Sequence, residues 1–144
     1  VGHRRRARSE RGASAIELSI VAPLFLLLIF VLIQGALLLY ARNVALSAAR
    51  EGASDVRLFQ PAEWNAAVHD GVRQNIVDYV AVVGNQTLRA ADARIEHNYG
   101  ASGRVRVTVS GQAISLLPGI DLEVERTATM EIEQFEADVP ADER

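Results

Sequence analysis

The sequence predicts an α+β protein. A long N-terminal transmembrane helix comes first, a second helix follows, and a three-stranded antiparallel sheet completes the plan. Three observations carry this reading. Residues 18–41 hold no charged side chain. Residues 64–83 repeat apolar side chains at helical spacing, and from residue 94 onward the apolar period changes to two.

The first element is defined by length and composition. Twenty-four uncharged residues make a helix of roughly 36 Å, enough to cross a hydrocarbon core about 30 Å thick with some tilt. The run is apolar all round, as a lipid-facing helix must be. Arg4, Arg5, Arg6, Arg8 and Arg11 precede it. By the positive-inside rule this places the N-terminus in the cytoplasm and the remainder outside. The expected division is a basic cytoplasmic leader at 1–12, a transmembrane helix at 13–42, an extracytoplasmic α+β domain at 43–135 and an acidic flexible tail at 136–144. A secretory signal peptide is the competing reading, but the apolar run is longer than such segments, and Ala45-Leu46-Ser47 is a weak cut pattern.

Within the span, Pro23 removes one backbone hydrogen bond and predicts a kink. Ala15, Ser19 and Ala22 put small side chains on nearly one face, a candidate packing seam for another helix. Gln34 is the one strong hydrogen-bonding side chain deep in the run, a candidate for bonding to a partner helix or for a place near the outer headgroups. Tyr40 and Arg42 mark the outer interface.

Glu17 sits at the edge of this span, and intramembrane carboxylates are rare and usually paired. A cut between Gly12 and Ala13 would create a new terminal amine and make Glu17 the fifth residue. The amine of a neighbouring copy, entering at the same depth, is a natural partner. Their pairing would set the axial register of one helix against the next.

Arg11-Gly12-Ala13-Ser14-Ala15-Ile16-Glu17, followed by Val21-Ala22-Pro23-Leu24, resembles the start of TadE-like proteins, minor pseudopilins of the tight-adherence (Flp-type) pilus and related secretion systems. The resemblance continues through Gln34-Gly35, Leu39-Tyr40-Ala41-Arg42 and Ala48-Ala49-Arg50-Glu51-Gly52-Ala53. It implies that Gly12 precedes a prepilin-peptidase cut, that Ala13 is the first mature residue, and that Glu17 is the pilin-type glutamate. The implied partners are prepilin peptidase, other pilins and Tad assembly components, in a bacterial cytoplasmic membrane. The alanine after the cut departs from the bulky residue, such as phenylalanine, that many type IV pilins carry there.

Beyond the membrane the helix is expected to run to about Arg57. Val44, Ala45, Ala48 and Ala49 form a narrow apolar stripe, and Gly52 weakens the helix near its end. Pro61 is expected to open the second helix. Its stripe is Trp64, Val68, Val72, Ile76, Tyr79, Val80 and Val83, and Gly84 ends it. His69 beside the stripe is expected to be solvated. A turn then leads to strands at 94–99, with Ile95, His97 and Tyr99 on one side, and at 104–110, with Val105, Val107 and Val109 inward. Leu117-Pro118-Gly119 is read as a turn. Residues 120–135 alternate again, with Arg126 interrupting the phase as a bulge or break.

The chain of 144 residues is 49% hydrophobic and has no cysteine, so disulfide frameworks and thiolate chemistry are excluded. The basic head and acidic remainder argue against nucleic-acid binding by the folded part. His3, His69 and His97 lack second ligands at metal spacing, and no nucleophile motif or phosphate loop appears. Asp121, Glu123 and Glu125 read as a solvated strand face. No enzyme activity, cofactor or metal is expected. The expected function is a pseudopilin that assembles through its N-terminal helix. The alternative is a single-pass anchor whose outer domain binds a partner without joining a pilus.

Overall fold

The computed structural model describes residues 6–59, 63–98, 103–117 and 119–132, with side chains from residue 15 onward. The leader residues 1–5, Pro61, Tyr99 and the acidic tail fall outside them. Five elements follow in order: α1 (Arg6–Val56), α2 (Ala66–Gly84), β1 (Leu88–Asn98), β2 (Arg104–Ala113) and β3 (Leu122–Glu131). This is the expected order of a long apolar helix, a second helix and a three-stranded antiparallel sheet.

α1 is one helix of 51 residues that passes through Pro23. Its two halves differ in what they touch. Every residue from 15 to 33 is exposed, whereas burial begins at Gln34 and Leu38. Beyond them Ala41, Val44, Ala45, Ala48, Ala49, Ala53 and Val56 form the buried face. Small side chains dominate this face, so α2 and the sheet approach closely. Gly52 belongs to the same contact. A Cβ there would overlap the Ile76 side chain, with Cγ1 at 2.7 Å. The glycine therefore admits α2 rather than weakening the helix end.

α2 begins later than expected. The Asn65 side chain caps it, with Oδ1 accepting from the amides of Ala67 at 3.0 Å and Val68 at 3.1 Å. Val72, Ile76 and Val80 are buried, Trp64, Val68 and Tyr79 pack partly against the core, and Val83 is exposed. Gly84 is the last helical residue, and Asn85 takes the left-handed conformation after it (φ 42°). A Cβ on Gly84 would lie 3.3 Å from Val44 Cγ1. Gly52 meeting Ile76 and Val44 meeting Gly84 make α1 and α2 antiparallel. The C-terminal end of α2 therefore points back toward the exposed half of α1.

The sheet order is β1-β2-β3, each neighbouring pair antiparallel. Val105, Val107 and Val109 of the central strand are fully buried, as their alternation requires. β1 starts at Leu88, six residues before the alternation becomes clear. Arg89 pairs with Gln112 and Asp92 with Ser110, so Ala90 and Ala91 oppose Gly111 in a bulge. Ala90 has a positive φ of 49°. A Cβ on Gly111 would meet Leu88 Cγ at 2.9 Å and the Arg89 carbonyl at 3.0 Å, so the bulge needs a glycine opposite it.

β3 contains no break at Arg126. The register runs without a shift from Leu122 to Glu131, with Arg126 opposite Val109. Val124 and Ala128 are buried on either side, and Arg126 stays half-buried in the same phase. Its guanidinium donates to the Glu125 carbonyl at 3.2 Å. An inward charge on an edge strand discourages pairing with another chain. The opposite face of the sheet is polar. Thr108 faces Thr127, Arg104 pairs with Glu131 and Arg106 with Glu96. Glu123 and Glu125 are exposed there.

Candidate membrane and assembly surface

The site expected from the sequence lies on α1, at the end farthest from the domain. Gly12 and Ala13 are within the helix. Glu17 is exposed, and no described residue bonds to it. Ala15, Ser19 and Ala22 are exposed as well. Ser19 Oγ donates to the Ala15 carbonyl at 2.8 Å, so its hydroxyl is spent within its own helix. The seam can therefore offer close backbone approach but not a free hydroxyl. At about 100° per residue, Glu17 projects on the side of the helix opposite this seam. A helix packed on the seam would leave the carboxylate free for a different neighbour.

The apolar stretch from 15 to 33 is about 28 Å long, close to the thickness of a hydrocarbon core. Ile16, Leu18, Leu24, Phe25, Phe30 and Leu32 are each more than half exposed. Among the described residues this is the one helix long and apolar enough to cross a membrane, and none of its most apolar window is buried against the domain.

Gln34 takes its partners from within the chain. Nε2 donates to the Ile114 carbonyl at 3.0 Å, and Oε1 accepts from the Leu116 amide at 2.7 Å. This amide thus fixes the β2–β3 connection against α1 rather than waiting for a partner helix. Tyr40 donates to the Val83 carbonyl at 3.0 Å and ties the C-terminal end of α2 to the same region. The Ala48–Ala53 stretch is equally internal: Ala48, Ala49 and Ala53 are core, while Arg50 and Glu51 face solvent.

At the opposite end of the domain, Trp64 is ringed by aromatic groups. Its centroid lies 4.7 Å from His97, 6.0 Å from His69 and 6.2 Å from Phe59, all edge-on. His69 lies beside Trp64 with 35% of its side chain exposed and Nδ1 3.3 Å from Asp70 Oδ1. Burial, and next the neighbouring His69, hold His97 below its ordinary pKa. Nearby, Arg73 donates to Asp92 Oδ1 from Nε at 3.0 Å and Nη2 at 2.5 Å, linking α2 to β1. That hydrogen bond is the main reason the Asp92 carboxyl lies below its ordinary range. Among the described residues, no three His, Cys, Asp or Glu side chains are grouped to hold a metal ion.

A single membrane-length helix, bare at one end and built into an α+β domain at the other, defines a class of single-pass, helix-anchored proteins. Residues 12–54 match the model of the family described as TadE-like protein. The match runs from the glycine before Ala13 to the last small residues of the buried face, and covers under a third of the chain. Comparison with curated proteins and with solved structures returned no match.

Proposed function

We propose that the chain is a minor pseudopilin of a Tad-type pilus or secretion system. In this reading, prepilin peptidase cuts between Gly12 and Ala13 on the cytoplasmic side, and the mature helix packs among those of other pilins. The observation that carries the reading is the bare apolar length of α1 with a carboxylate at its leading end, Glu17, that no described side chain pairs. A lone anchor gains nothing from a carboxylate at the edge of lipid, where a charge is costly. An assembling helix gains a register mark, because the amine of a cut neighbour supplies the missing cation. The five arginines support a cytoplasmic leader and an extracytoplasmic domain.

Coexpression with a prepilin peptidase, followed by intact-mass measurement, tests the first step. The expected product lacks residues 1–12. An uncut chain, or one cut near Ser47, would overturn the proposal and leave a non-assembling anchor. A Gly12→Leu variant is expected to remain uncut, since the bulky side chain fills the position before the bond.

A further inference from the structure

The connection between β2 and β3 is chemically unlike the rest of the domain surface. Residues 113–120 read Ala-Ile-Ser-Leu-Leu-Pro-Gly-Ile, without a charge. Leu116, Leu117 and Ile120 are exposed by 43%, 42% and 46%. Gln34 pins this connection to α1 directly after the unbroken run of exposed residues 15–33. Part of its backbone is bonded within the protein. The Ile114 amide donates to the Thr87 carbonyl at 3.1 Å, and the Ile114 carbonyl accepts from Gln34. The Leu116 amide is bonded to Gln34, and the Leu117 amide to Ser115 Oγ at 3.2 Å. Ser115, its one polar side chain, donates back to the Leu117 carbonyl at 2.9 Å. Amides bonded in this way suit a loop at a bilayer surface, where water is scarce.

We infer that this loop is a second membrane contact, in which Leu116, Leu117 and Ile120 enter the lipid interface on the domain's side of the bilayer. The occupant is lipid because the patch continues the lipid-exposed surface of α1 at the depth where the span ends. The contact gives the domain two points of attachment, α1 and the loop. Asp121 and Glu123 follow at once and stop deeper entry, since carboxylates remain with water.

The inference rests on residues 15–33 lying in lipid, so the test carries a control for that premise. The chain has no cysteine, and single variants Leu117→Cys, Leu27→Cys and Arg106→Cys each accept one nitroxide label. The full chain is reconstituted in vesicles of phosphatidylcholine and phosphatidylglycerol, and label accessibility to oxygen and to a water-soluble nickel chelate is measured. Leu27→Cys should see oxygen alone and Arg106→Cys mainly the chelate. Leu117→Cys is expected to show chelate accessibility several-fold below that of Arg106→Cys, with oxygen accessibility retained. Chelate accessibility equal to that of Arg106→Cys would overturn the inference. So would protection from both reagents that rises with protein-to-lipid ratio, because a second copy would then cover the loop. If Leu27→Cys also saw the chelate freely, the membrane span itself would be at fault. Gln34→Leu in the Leu117→Cys background is expected to loosen the loop and raise label mobility. Unchanged mobility would refute the pinning.

Discussion

Two side chains set the terms at the residue scale. Glu17→Gln keeps the shape of the side chain and removes its charge. With prepilin peptidase present, it is expected to mature to the same mass as the parent but to be recovered poorly with other pilus components. Normal recovery would remove the register role while leaving cleavage intact. His97 makes a different prediction, read in pH. Its neutral form is favoured in the fold because burial against Trp64 opposes the charge. The unfolded chain therefore binds the proton more readily, and stability is lost as pH falls below the ordinary histidine value of about 6.5. Asp92 carries a lowered pKa, so its contribution is present above its ordinary value and fades only in stronger acid. Urea unfolding at pH 7 and pH 5 thus isolates the histidine. The parent should lose stability over that interval, and His97→Gln should lose less.

Elements add what single residues do not reveal. Three glycines, Gly52 in α1, Gly71 in α2 and Gly111 in β2, look alike in sequence, yet they do different jobs. Gly52→Leu drives a side chain into Ile76 and is expected to cost about 1–3 kcal/mol. Gly111→Ala meets the Arg89 carbonyl, which cannot swing aside, and should likewise destabilise the β1–β2 pair. Gly71 has nothing within 4 Å of an added Cβ. Gly71→Ala is expected to stabilise the exposed middle of α2 by up to about 1 kcal/mol. Thermal unfolding in detergent orders the three, and a Gly52→Leu protein as stable as Gly71→Ala would refute the close packing. The comparison also marks what the sequence could disclose. A glycine's cost to a helix is local and visible, so Gly52 read as a weak point. The Ile76 side chain that needs the space is 24 positions away. Separations of 80 and 82 positions hid the partners of Gln34, Ile114 and Leu116. The strands read at 104–110 and 120–135, observed at Arg104–Ala113 and Leu122–Glu131, were legible because alternation is local, but β1 lost its first six residues to a bulge that breaks the period. Arg126 misled in the other direction: a charge in the apolar phase looked like a break, whereas an edge strand can hold it facing inward.

Over the whole molecule, α1 belongs to two environments at once, and the border between them is not where apolarity ends. The uncharged run continues to Ala41, but domain contacts start at Gln34. Eight residues counted by hydropathy as membrane, 34–41, thus overlap the stretch that contacts the domain. The outer part of α1 is therefore not a stalk that carries a separate domain. It is the strut on which α2 and the sheet are built, and its small buried residues are part of the stretch that matches the family. This has a consequence for truncation. A fragment of residues 34–135 keeps Gln34, Leu38 and Ala41, whereas one of residues 43–135 loses both hydrogen bonds that hold the β2–β3 loop and a fully buried methyl. Each hydrogen bond contributes about 0.5–1.5 kcal/mol, and the methyl with part of Leu38 adds about 1 kcal/mol. The longer fragment should therefore be more stable by about 2–3 kcal/mol. With a urea dependence of about 1–3 kcal/mol per molar, the midpoint separates by roughly 1–2 M. A fragment starting at residue 57, without the strut, is expected to show no cooperative transition, because Val105, Val107 and Val109 would lose the surface they pack against. Equal midpoints for the two longer fragments would mean that the domain ends where the charge-free run ends, and that Gln34 serves the membrane rather than the fold.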